Sequence, residues 1–213
     1  MKKSLFLKTL AIVVFLAPSL LLAHHPMGGD TPATFWQGLL SGFAHPVIGM
    51  DHLAMVLAVG FLALYFSRNV LLPAFFVGGT LGGAALHLAA ISLPAVELMI
   101  GVSVLLAGLY LIWQKDVSPA VVMGLFAFLG LFHGHAYAEA IFGAEATPLV
   151  AYLLGFAAIQ YAVAIAAMFA AAKIVELSSE SDRVVLRVAG GMVFGVGFVF
   201  VAGQVLSAVG LGG

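Results

Sequence analysis

The chain has 213 residues, of which 63% are hydrophobic and 8% charged, and its mean hydropathy is +1.19. A water-soluble domain carries about a quarter charged residues, so this composition cannot clothe a water-facing surface and reads as an all-α integral membrane protein. The net charge of −1 says nothing about nucleic acid, but no basic patch exists and no nucleic-acid partner is expected; the lack of cysteine excludes thiolate metal sites, disulfides and thiol catalysis.

Residues 1–23 have the build of a signal peptide. Lys2, Lys3 and Lys8 form a positive start, Leu10 to Leu16 an apolar core, and Leu21-Leu22-Ala23 a cleavage site, although Leu21 is larger than the usual small residue there. The alternative is an uncleaved first helix. Cleavage after Ala23 exposes a tail, residues 24–34, that begins His24-His25-Pro26-Met27. A free amine beside two imidazoles is a competent chelating group; a flexible tail that holds histidine by accident is the plainer alternative.

The remainder, 35–213, reads as one transmembrane domain. Apolar runs near 35–66, 70–91, 95–113, 119–141, 148–173 and 184–208 are each long enough to cross a hydrocarbon layer of about 30 Å. They are predicted as six transmembrane helices. The first run is too long for one straight crossing, and it holds His45, Asp51 and His52 among apolar residues. Pro46 removes a backbone donor and Gly49 permits close approach, so this span is predicted to break near Pro46. Beyond the leader the basic residues are Arg68, Lys115, Lys173, Arg183 and Arg187. Six spans place all five on one side, which the positive-inside rule assigns to the cytoplasm. Both mature termini then face the periplasm of a bacterial inner membrane. Glycine pairs four apart, Gly79 with Gly83, Gly78 with Gly82 and Gly191 with Gly195, are predicted to let helices pack closely.

Charge within lipid is expensive and marks function by default. At about 1.5 Å per residue from the basic end, His52 stands roughly 22 Å up, His133 about 21 Å, His135 and Glu97 about 24 Å, and His87 about 27 Å. Five histidines and two or three carboxylates thus share one layer in the outer half of the membrane. His135 and Glu139 are four apart and face the same way on a helix, as two ligands or as a ligand with an orienting carboxylate. His133 points elsewhere unless Gly134 loosens the turn. Of the adjacent Asp51 and His52, one faces the site and the other serves the backbone. His45, two turns earlier, sits nearer the outside. His87 and Glu97 are accessory candidates, since a late-span histidine or a first-turn carboxylate also arises without function. Imidazole with carboxylate suits a divalent transition metal.

The run His45-Pro46-x-x-Gly49-x-Asp51-His52, the later Phe132-His133-Gly134-His135-Ala136-x-x-x-Glu139, and a leader ending before His-Pro together resemble the HupE/UreJ family. The resemblance spans essentially the whole chain. It implies a small hydrogenase- or urease-associated membrane protein acting as a secondary nickel or cobalt permease. It also implies a metal site of His45, Asp51, His52, His133, His135 and Glu139. Tyr137 departs from the pattern, which has Gly or another His there in many relatives. The His-x5-Asp-His element is similar to the His-x4-Asp-His signature of the larger nickel/cobalt transporters by analogy only, because the spacing differs.

The expected function is uptake of Ni²⁺, or Co²⁺, through one pocket that His52 and His135 share. The expected partners are the lipid bilayer and the cation, with no required cofactor, no nucleotide and no enzymatic activity. Two rivals remain. One is a non-transporting metal- or haem-binding subunit of a hydrogenase or urease maturation system. The other is an intramembrane metalloenzyme, which the absence of an H-E-x-x-H element disfavours.

Overall fold

The computed structural model describes residues 31–178 and 181–210. The leader, its cleavage site and the His24/His25 tail lie outside the described residues. Seven helices follow one another: α1 Phe35–Ile48, α2 Met50–Tyr65, α3 Leu71–Leu88, α4 Val96–Trp113, α5 Pro119–Glu139, α6 Ala146–Leu177 and α7 Asp182–Ala208. Five are long and apolar enough to cross a membrane, and α1 with α2 makes a sixth span bent by 80°. The protein is therefore a multi-pass membrane protein, with the predicted spans matched to within a few residues.

Local chemistry explains where the first span begins and breaks. Thr34 Oγ1 accepts from the Gln37 N–H at 3.2 Å while Gln37 Oε1 accepts from the Thr34 N–H at 3.1 Å, a reciprocal cap that starts α1. Pro46 lies inside α1, and the chain turns at Gly49, three residues later. Proline cannot bond the carbonyl one turn back, so the last turn of α1 is already weakened when Gly49 is reached. The Gly49 N–H still donates to His45 O at 3.3 Å, and its carbonyl accepts from the Leu53 N–H at 2.8 Å. A Cβ on Gly49 would stand 2.8 Å from His52 Cδ2. Glycine thus makes room for the ring that the bend presents.

Helix α2 is the hub, touching α1, α3, α4, α6 and α7. Its Met55, Val59 and Leu62 are fully buried against Leu72, Phe76, Val104, Leu111 and Phe126. Three pairs clasp around it: α3 with α5, α4 with α7, and α1 with α6. Glycine sets how closely each pair meets. A Cβ on Gly83 would overlap the Leu131 carbonyl, one on Gly134 the Thr80 carbonyl, and one on Gly42 the Tyr152 carbonyl. Gly79 and Gly83 therefore pack as predicted. Gly191 and Gly195 do not: nothing lies within 4 Å of either Cβ position, and Gly190 and Gly197 meet α4 instead. A four-residue spacing names two glycines on one face without saying which face meets protein.

Arg68, Lys115, Lys173, Arg183 and Arg187 all lie at one end of the bundle by the order of the helices. There the Tyr65 hydroxyl donates to Gln114 O at 2.9 Å, and Gln114 Nε2 donates to Arg183 O at 2.8 Å. This ties α2, α4 and α7 together.

Replacing Gly134 by alanine is expected to force α3 and α5 apart and to cost about 1–3 kcal/mol, the usual penalty of overpacking. Gly191→Ala, which meets open space, is the control. Thermal unfolding in detergent should fall for the first variant and stay near wild type for the second.

Candidate functional site

The inner cluster forms where α1, α2, α4, α5 and α6 converge. His45, Asp51, His52, Ser103, His133 and Tyr152 are all buried. His52 Nδ1 lies 2.8 Å from His133 Nδ1, and His133 Nε2 lies 2.8 Å from Ser103 Oγ. His45 Nδ1 lies 2.8 Å from the Tyr152 hydroxyl, which donates to the Tyr137 carbonyl at 2.7 Å. The His45 and His52 rings are 6.0 Å apart, and the Tyr137 ring covers His52 at 4.3 Å. Asp51 Oδ1 accepts from the His52 N–H at 2.8 Å, in the first turn of α2, where a helix favours a carboxylate. Ser103 lies seven residues into α4, about 10 Å down at 1.5 Å per residue.

The outer cluster joins α3 to α5. His87 Nδ1 stands 3.3 Å from His135 Nδ1, and with Glu139 the three offer ligand atoms all within 4.8 Å of one another. This is the one such group of three or more among the described residues. His135 Nε2 is 3.2 Å from the Ile91 carbonyl and 3.4 Å from the Leu93 N–H. One nitrogen cannot serve both, and the nearer carbonyl takes its proton. Glu139 is exposed, and it shares a cavity of about 380 Å³ with Glu97 and Gln204.

A single pocket holding Asp51, His52, His133, His135 and Glu139 is therefore not what forms. His52 pairs with His133, and His135 pairs with His87. The physical reason lies on α5: residues two apart on a regular helix are about 200° apart, so His133 and His135 look to opposite sides. Gly134 does not loosen the turn, since α5 runs unbroken through it. His87, an accessory candidate by sequence, completes the group of three. Glu97 stays outside that group and lines the cavity that Glu139 shares.

Sequence reasoning missed Ser103, Tyr152 and Thr80. A hydroxyl inside an apolar helix carries no pattern of its own. Gln160 is buried and donates to Thr80 Oγ1 at 3.3 Å and to Phe156 O at 3.0 Å. Its Oε1 has no hydrogen-bond partner among the described residues, and neither has the Tyr137 hydroxyl.

Comparison with known proteins places the chain in a family. The family model described as "HupE / UreJ protein" matches residues 12–200, a stretch that includes both clusters. "Protein HupE" of Rhizobium leguminosarum bv. viciae is 31% identical over 206 residues, covering 95% of this chain and 100% of that protein. No solved structure matches.

Removing the Tyr137 hydroxyl should not destabilise the fold, because an unpartnered buried hydroxyl costs free energy. Tyr137→Phe is expected to melt at or above the wild-type temperature, by up to about 1 kcal/mol of added stability. A clear fall in thermal unfolding temperature would mean that the hydroxyl has a stabilising partner.

Proposed function

The chain belongs to the HupE/UreJ family, and from that premise we propose that it is a secondary permease for a divalent transition-metal cation, Ni²⁺ or Co²⁺. The observation that carries the reading is the gathering of five imidazoles from three spans into two clusters inside an apolar bundle. Buried imidazoles suit a borderline cation far better than a hard one. Glu97 and Glu139 at the mouth draw the cation in, and His87, His135 and Glu139 receive it. His52, His133 and His45 hold it deeper. Thr80 and Gln160 are the next polar groups toward the basic end. Beyond them Leu62, Leu72, Leu111 and Phe126 close the way, so release requires the helices to move. With the basic end in the cytoplasm, this direction is uptake.

The spacing of the nitrogens favours direct ligation over the haem alternative. With metal–nitrogen bonds of about 2.0–2.1 Å, separations of 2.8 Å and 3.3 Å subtend nearly a right angle and nearly a tetrahedral angle at one ion. Two axial ligands of a haem iron lie opposite each other, about 4 Å apart at the same bond length. The chain has no phosphate-binding loop, so the driving force is the metal gradient and the membrane potential. The potential contributes about 2.3 kcal/mol per charge per 100 mV, doubled for a divalent ion.

Proteoliposome uptake of Ni²⁺ tests the proposal. Wild type should take up the ion faster when the interior is negative. His52→Ala and His135→Ala should each slow uptake at least roughly tenfold, a loss that even the hydrogen-bond partners of metal ligands produce. Uptake by both variants at the wild-type rate would refute the site. Equilibrium binding should resolve two classes of Ni²⁺ site, with His87→Ala weakening one and sparing the other. Affinity should fall as pH drops, since protons compete for imidazole and carboxylate. Deleting His24 and His25 should slow uptake at scarce metal and little at plentiful metal; equal loss at every concentration would count against a collecting tail.

A further inference from the structure

Three imidazoles meet two hydroxyls in the inner cluster, and the positions of the protons follow from the geometry. The Tyr152 hydroxyl lies 2.7 Å from the Tyr137 carbonyl and 2.8 Å from His45 Nδ1. Tyr137 stands two residues from the end of α5, among the last four carbonyls that lack an intrahelical donor. The Ile141 N–H, which could have served it, goes to Ala138 O at 3.2 Å instead. The carbonyl is buried, and Tyr152 supplies its hydrogen bond. Two oxygens at 2.7 Å with no proton between them would repel. The single hydroxyl proton of Tyr152 therefore points at Tyr137, and its oxygen must accept. His45 Nδ1 carries the donating proton.

The same reasoning fixes the second ring. Ser103 Oγ lies 2.7 Å from Ile100 O and 2.8 Å from His133 Nε2. Its proton goes to the carbonyl, so His133 Nε2–H donates to the serine oxygen. His133 Nδ1 keeps its lone pair, and the 2.8 Å contact with His52 Nδ1 requires the proton there to belong to His52. A cation held by both Nδ1 atoms displaces that one proton from the site.

We propose that Tyr152 and Ser103 are positioning residues: each relays a helix carbonyl to an imidazole, so that the proton of His45 is held on Nδ1 and His133 keeps the Nδ1 lone pair for a divalent cation. This rests on the permease reading for its purpose but not for its proton positions. Each hydroxyl does for its ring what an orienting oxygen does for a metal-bound histidine, selecting which nitrogen is available. Neither residue need touch the ion.

The test is ¹⁵N NMR of histidine-labelled, metal-free protein at a pH where the imidazoles are neutral, with His→Gln variants assigning the signals. Wild type should show His45 protonated on Nδ1 and His133 on Nε2. Tyr152→Phe should release His45 to the other tautomer, and Ser103→Ala should do the same for His133. Each should weaken Ni²⁺ binding roughly 10- to 100-fold. Ser103→Thr, which keeps a hydroxyl, should retain both the tautomer and the affinity. Opposite tautomers in wild type would overturn the proposal, as would unchanged tautomers in both hydroxyl-free variants. The wild-type spectrum and Ser103→Thr decide the matter even if a hydroxyl-free variant fails to fold. Tautomers as assigned, in a protein that moves no Ni²⁺ across liposomes, would support the positioning role while removing transport as its purpose.

Discussion

An imidazole in hydrocarbon has no water to turn to, so every nitrogen must find its partner within the protein. That constraint shapes the outer half of this bundle. His52 and His133 pair through their Nδ1 atoms, Ser103 takes up His133 Nε2, Tyr152 takes up His45 Nδ1, and helix carbonyls satisfy the hydroxyls. The polar chain ends on backbone groups that needed a donor or could tolerate a second one. His135 follows the same rule with the Ile91 carbonyl beyond the end of α3. The helices are placed to complete these chains, and the small residues between them make that placement reachable. Where α3 meets α5, Gly83 and Gly134 bring the backbones together at the height where the histidines stand.

Much of this was legible in the sequence because it depends on position along one axis. Counting residues from the basic ends placed His52, His87, His133, His135 and Glu97 in one layer, and the helices keep them there. The break in the first span announced itself through Pro46 and Gly49, although the turn comes at the glycine. Azimuth was not legible. Which way His133 and His135 look follows from helical periodicity, but what they look at depends on how α5 rotates against α2 and α3. The single pocket divided into two for that reason, and His87 moved from the margin to the centre of one. Ser103 and Tyr152 were invisible for a different reason: serine and tyrosine are ordinary in apolar spans, and only their neighbours reveal what they do.

The distribution of polarity along the bundle is strongly one-sided. Glu97 and Glu139 line one cavity, the imidazoles gather in two clusters, and Thr80 pairs with Gln160. The fully buried Leu62, Leu72 and Leu111, backed by Phe126, fill the remaining depth, with α2 at their centre. A close-packed apolar layer of this kind does not admit an ion without rearrangement. The shape is that of a site open to one side and sealed from the other.

The three-way tie at the basic end, in which Tyr65 and Gln114 hold α2 and α4 to the start of α7, has a consequence for how such a seal opens. It fastens those three helices into one block, while the glycine contacts make α3 and α5 a second. The His52–His133 pair spans the seam between the blocks. A cation seated there would rivet the halves together, so whatever grips it hardest also resists the parting that sets it free. Affinity and turnover then pull against each other at a single joint, and a good passenger is one that the two rings hold only briefly.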